Sequence, residues 1–212
     1  MILPPRHGPA VTRVGRRAVL AGAGLLALRP AGAAPRLVLH PGQVLRGRFV
    51  QERHLQGFDA PLRSSGSFTL APGQGLIWRA ETPFAVTTII TAAGLVQDVS
   101  GSETMRLSAA RLPYMSQLYA MLNGALAGDL HGLEASFTLN TTSDATGWRY
   151  DLTPKHPDDP MMPFQEIVVR GTALVDRVEM RRRGGDSDTL TFQDQTVSDG
   201  PLTADEAAAL AR

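Results

Sequence analysis

The sequence predicts a mainly β protein with helices, an α+β arrangement in which one strongly curved antiparallel sheet has a helix against its concave face. Three observations carry this. Short alternations of apolar and polar residues, with the period of a strand, recur along most of the chain. One central stretch, Pro113–Ala127, changes to helical spacing. The links between the alternations are hairpin-length and rich in Gly and Pro, so helices do not alternate with strands and a parallel, doubly wound sheet is disfavoured.

The first 33 residues stand apart. They carry Arg6, Arg13, Arg16, Arg17 and Arg29 and no acid. An apolar run, Ala18–Leu28, follows Arg16-Arg17 and is too short to span a bilayer core of roughly 30 Å. Ala31-Gly32-Ala33 is a small-x-small cleavage pattern. Residues 1–33 therefore read as a cleavable signal peptide, leaving 34–212 as a single domain delivered to the periplasm. The arginine pair fits both the twin-arginine and the general secretory route.

In the body, Val44–Leu55 is a long, polar-rich strand. Ser67–Leu70 and Leu76–Ala80 place Phe68, Leu70, Leu76 and Trp78 on strand faces. Pro72-Gly73-Gln74-Gly75 between them predicts a hairpin, because glycine supplies the φ > 0 positions of a tight turn. Phe84–Thr91 is β-branched, Ala93-Gly94 turns the chain into Leu95–Val99, and Met105–Leu107 is a short strand. Tyr114, Leu118, Met121, Leu122 and Ala125 then recur at helical spacing between Pro113, suited to a first turn, and Gly128, suited to a C-terminal stop. Phe137 and Leu139 begin a strand, Thr141–Gly147 reads as a polar turn region, and Trp148–Thr153 alternates again. Pro154–Pro163 is a loop with four prolines. Gln165–Arg170 and Leu174–Arg181 flank Gly171 as a second hairpin, Arg181–Asp186 turns, and Thr189–Phe192 is a strand. The tail has Thr203 as an N-cap and Glu206 three residues on, the spacing of a capping box.

Composition excludes several chemistries. There is no cysteine, hence no disulfide, thiolate catalysis or Cys-based metal site. Beyond residue 33, 16 basic face 20 acidic side chains, a formal charge of −4, which argues against nucleic acid as a partner. His40, His54, His131 and His156 are too scattered for a local metal cluster, and no Gly-x-Ser-x-Gly elbow or phosphate-binding glycine loop occurs. No catalytic residue, cofactor or metal is assigned. What remains is apolar: Phe68, Trp78, Phe137, Trp148, Tyr150, Met162, Phe164 and their neighbours along strand faces. Pattern alone fits either a filled core or a cavity left between a curved sheet and one helix.

Phe49-Val50-Gln51, then Ser65-Gly66-Ser67-Phe68, then Leu76-Ile77-Trp78-Arg79 with Thr82-Pro83-Phe84, then Gly128-Asp129-Leu130 and Gly171 between two strands, occur in the order of LolA-like lipoprotein carriers. The chain resembles a divergent branch of that family over roughly 44–195. The resemblance implies an unclosed β-barrel covered by helices, and a monomeric periplasmic carrier without catalysis. Its partners would be a lipid or lipidated cargo, an inner-membrane exporter and an outer-membrane acceptor. The cavity would be lined by Phe68, Leu70, Trp78, Phe84, Tyr114, Leu118, Phe137, Trp148 and Tyr150, with Pro113–Ala127 as one wall. Two features depart from the family pattern. Only Pro35–Gln43, interrupted by Pro41-Gly42, stands where a first amphipathic helix is expected, and Ala71-Pro72 replaces an Arg-Pro pair that latches the lid. They point to a cargo other than a standard lipoprotein. Two other readings are a non-transporting envelope module that binds a protein partner, and an acyl hydrolase with a site around His54 or His131.

Overall fold

The computed structural model describes residues 37–109, 124, 126–127, 131–160 and 162–212. Residues 1–36, which include the expected leader, Tyr114, Leu118 and most of Pro113–Ala127 lie outside them. Among the described residues there are eleven strands: β1 (Gln43–His54), β2 (Leu62–Ala71), β3 (Gly75–Thr82), β4 (Val86–Thr91), β5 (Gly94–Val99), β6 (Ser102–Ser108), β7 (Phe137–Asp144), β8 (Gly147–Pro154), β9 (Phe164–Gly171), β10 (Val175–Arg182) and β11 (Ser187–Asp199). A 3-10 turn spans His131–Leu133, and a short helix, α1 (Ala204–Leu210), follows β11.

The strands form one antiparallel sheet in the order β6-β5-β4-β3-β2-β1-β11-β10-β9-β8-β7. This is two meanders side by side, β1–β6 and β7–β11, joined where the first strand meets the last (Phe49 opposite Phe192, Gln51 opposite Leu190). The edges β6 and β7 do not pair with each other, so the sheet is unclosed. Because β6 and β7 lie at opposite edges yet follow one another in sequence, the chain between them has to cross from edge to edge. Leu126, Ala127 and Leu133, within that connection, are buried in the main core. Leu39 donates its N–H to the Ala127 carbonyl at 2.9 Å, which ties the entry to β1 to the same connection. Residues 37–42, just before β1, are not helical, as Pro41-Gly42 predicts.

The sheet curls. β3 and β8 are six places apart, about 29 Å if the sheet were flat. Trp78 of β3 and Leu152 of β8 nevertheless line one small cavity. Successive side chains of a strand face opposite ways, and the burial follows that rule. Leu76, Trp78, Ile90 and Leu95 point into the main core, whereas Ile77, Ile89 and Val96 form a separate cluster on the outer face. Ala209 and Leu210 of α1 pack on that outer cluster. On the outer face of β8–β10, ion pairs run between neighbouring strands and along them: Arg149 with Asp151, Arg177 with Glu179, and Arg181 with Glu166.

All eleven expected strands are present, with different ends. Thr141–Gly147 is mostly strand rather than turn. β11 runs thirteen residues where Thr189–Phe192 is expected. β4 begins at Val86, so Phe84 sits in the β3–β4 turn and not in a strand. The expected capping box of α1 is complete: Thr203 accepts from the Glu206 N–H, and Glu206 accepts from the Thr203 N–H.

Candidate functional site

The concave face is built in two parts. β1, β2, β3 and β11 contribute an aromatic group. Phe49 and Trp78 stack with ring centroids 3.7 Å apart, and Phe192 meets Phe68 edge-on at 5.4 Å and Trp78 at 6.2 Å. Gly47 makes room for it, since a β-carbon there would lie 2.7 Å from the Phe68 ring. β8–β11 contribute an aliphatic wall of Leu152, Ile167, Val169, Val178, Met180 and Leu190. Trp148 stands at its end, its indole N–H donating to the Thr172 carbonyl at 2.5 Å and its ring 5.4 Å from Tyr150.

Where the two parts meet, a cavity of about 20 Å³ remains, lined by Trp78, Leu152, Ile167, Val169, Val178, Met180, Leu190 and Phe192 of the sheet and by Leu126 and Leu133 of the β6–β7 connection. That volume matches a single water molecule, but every described lining side chain is apolar or aromatic, which disfavours water there. An acyl chain fits only if the lining moves apart. The larger hollow, about 430 Å³, lies at the β7–β8 and β9–β10 turns and is lined by Asp144, Arg149, Arg170, Asp176 and neighbouring polar groups, a poor place for hydrocarbon.

One end of the concave face is polar. Asp188 is 2% exposed, shares its face with Leu190, and stands opposite Arg53 on β1 and Met180 on β10. Arg53 Nε donates to it at 2.7 Å and Gln51 Nε2 at 3.0 Å, and Arg182 Nη2 lies 2.9 Å from its second oxygen. Burial by itself would raise this carboxyl. The bonds from Arg53 and Gln51 and the charges of Arg53 and Arg182 outweigh burial and hold it below the ordinary aspartate value.

Of the nine residues expected to line a cavity, Phe68, Leu70, Phe137 and Trp148 are buried in the main core, and Trp78 and Tyr150 pack against it. Among the described ones, Trp78 alone borders the 20 Å³ cavity. Phe84 does not join them: it is 74% exposed, because the turn that precedes β4 carries it out of the sheet. Tyr114 and Leu118 lie outside the described residues. The aliphatic wall was missed, although Val178 with Met180 and Leu190 with Phe192 carry the period-two signal that would have found it.

A family model described as outer membrane lipoprotein carrier protein LolA-like matches residues 36–210. No curated protein matches the chain. Among solved structures, the chain is similar to a LolA superfamily protein from Nitrosomonas europaea at 12% identity, over 77% of this chain and 90% of that one, with a TM-score of 0.41. It is also similar to LprF from Mycobacterium bovis (10% identity, 82% and 89% covered, TM-score 0.36). A putative outer membrane lipoprotein-sorting protein domain from Vibrio parahaemolyticus is a further likeness (9% identity, 81% and 92% covered, TM-score 0.36).

Proposed function

The chain belongs to the LolA-like outer membrane lipoprotein carrier family, and from that premise we propose that it is a periplasmic carrier that holds the acyl chains of a lipoprotein or glycolipid between its sheet and the β6–β7 connection and shuttles them from the inner to the outer membrane. The observation that carries this reading is the seam between those two parts, whose described lining is apolar throughout. A seam of that kind opens by separating two surfaces, without breaking the strand ladders. Transfer of each CH₂ from water into it is worth about 0.8 kcal/mol, so a chain of about ten methylenes offers roughly 8 kcal/mol against the cost of opening. The leader, residues 1–33, would direct the protein to the periplasm, an inner-membrane exporter would load it, and an outer-membrane acceptor would unload it.

Native mass spectrometry of the protein from bacterial envelopes tests the reading: adducts of lipid mass are expected, and binding of a fluorescent fatty acid should be lost in Trp78→Asp with the fold retained. A folded protein that takes up no lipid would overturn it. The small volume of the cavity favours one other reading, a non-transporting envelope module that docks a protein through exposed Phe58, Leu62 and Phe84. That module would bind no lipid in either assay.

A further inference from the structure

We propose that Arg53 and Arg182 form the site for the anionic head of the cargo, a phosphate or carboxylate attached to the buried acyl chain. This rests on the carrier reading and gives its cargo a charge.

The polar group formed by these residues adjoins the apolar seam. Asp188 pairs across the sheet with Met180 and stands two residues from Leu190, and both of those line the cavity. Two residues along a strand is about 7 Å, so an amphiphile whose tail touches Met180 and Leu190 brings its head to the two arginines. The cluster carries surplus positive charge, two guanidinium groups around one carboxylate. One guanidinium would balance the charge of Asp188, so the second, which serves its other oxygen, leaves the cluster net positive. Here Arg53 uses Nε and Arg182 uses Nη2 on Asp188, and each side chain remains about two-fifths exposed (42% and 39%). A guanidinium has five N–H donors in a planar fork suited to oxyanions, so both have donors left for a ligand.

Arg182 is also held in place. Its guanidinium carbon lies 5.9 Å from the centre of the Phe164 ring, and its backbone N–H donates to the Asp186 carbonyl. Its Nε is buried and has no hydrogen-bond partner. A buried donor without an acceptor is costly, and a ligand oxygen would satisfy it once the side chain shifts to expose that nitrogen. The neighbouring acid, Asp186, is already engaged by the Gln56 N–H at 2.9 Å. Asp188 is thus a positioning residue that splays two arginines toward the opening.

The experiment compares cis-parinaric acid with its methyl ester, the same fluorescent chain with and without a negative head, at about pH 8. The purified wild-type protein is expected to bind the acid at least tenfold more tightly than the ester. Arg53→Gln and Arg182→Gln should each cut that preference at least threefold, and the double variant should abolish it, with ester affinity unchanged within twofold. Arg182→Lys should keep most of it. Inorganic phosphate alone should bind far more weakly than the acid. If the variants bind both ligands with the wild-type preference, the head site is overturned and the carrier reading stands. If wild type binds neither ligand, the carrier reading fails and takes this site with it. Phosphate binding as tightly as the acid would assign a free anion and overturn the amphiphile. Should a glutamine variant not fold, Asp188→Asn keeps both arginines and should raise the preference for the acid; an unchanged preference overturns the site.

Discussion

Glu206 is 7% exposed and accepts four hydrogen bonds: from Arg46 Nε at 2.8 Å and Nη2 at 2.6 Å, from Thr69 Oγ1 at 3.0 Å, and from the Thr203 N–H at 2.8 Å. The Arg46 bonds foremost, against burial and with help from Thr203 and Thr69, hold its pKa at about 2 instead of 4.5. The carboxylate form is therefore the one the fold prefers. Its contribution is complete above pH 4.5 and is lost as pH falls from there through about 2. Glu206→Gln is expected to lose on the order of 2–3 kcal/mol at pH 7 and much less at pH 3, measured by urea unfolding at both. Equal losses at the two pH values would contradict the assignment. Gly47→Ala makes a second test. Its β-carbon would meet the Phe68 ring at 2.7 Å, so a loss of about 1–3 kcal/mol is expected in thermal unfolding, from overpacking. At this scale the sequence was a fair guide where a local rule applies: the Thr203–Glu206 capping spacing is visible in it. The Arg46 partner 160 residues away is not, since no local pattern encodes a contact across the sheet.

The elements were legible wherever one face of a strand is buried, and their ends were not. β11 shows why. Leu190 and Phe192 keep the period of two, but Asp194 adopts φ +51 and the register between β1 and β11 shifts there. Val197 then rejoins the core on an odd position, out of phase with Leu190 and Phe192. A reader of alternation stops at Phe192. β7 fails differently: it is an edge strand whose residues 140–144 are all exposed, so no apolar signal marks them. Phe84 looks continuous with the β-branched run that follows, but the ladder of β4 with β3 begins only at Val86. The helix α1 gives an element-scale prediction. Its Leu210 and Ala209 cover Ile77, Ile89 and Val96 on the outer face. Leu210→Asp is expected to speed amide hydrogen exchange in β3–β5 and leave β8–β10 unchanged. Uniform acceleration across the sheet would mean that α1 holds the whole fold and not its local patch.

At the scale of the whole molecule, one fact of topology organises the rest. The first and last strands pair in the middle of the sheet, so the β6–β7 connection has to travel between the free edges, and it brings Leu126 and Leu133 against the concave face. The curved, antiparallel and unclosed form of the sheet was within reach of the pattern and of the family resemblance; the pairing of the first strand with the last was not. The state of the interior was not, because an apolar face reads the same whether it meets lipid or other side chains. The chain has two tryptophans, Trp78 and Trp148, and both belong to the concave face. Bromine quenches indole emission only near contact, so acyl chains brominated along their length report directly on whether hydrocarbon enters the seam. Saturating brominated fatty acid is expected to quench most of the tryptophan emission of the folded protein, while the unbrominated acid leaves it unquenched. Emission unchanged by the brominated chain would place lipid outside the sheet and contradict the carrier account.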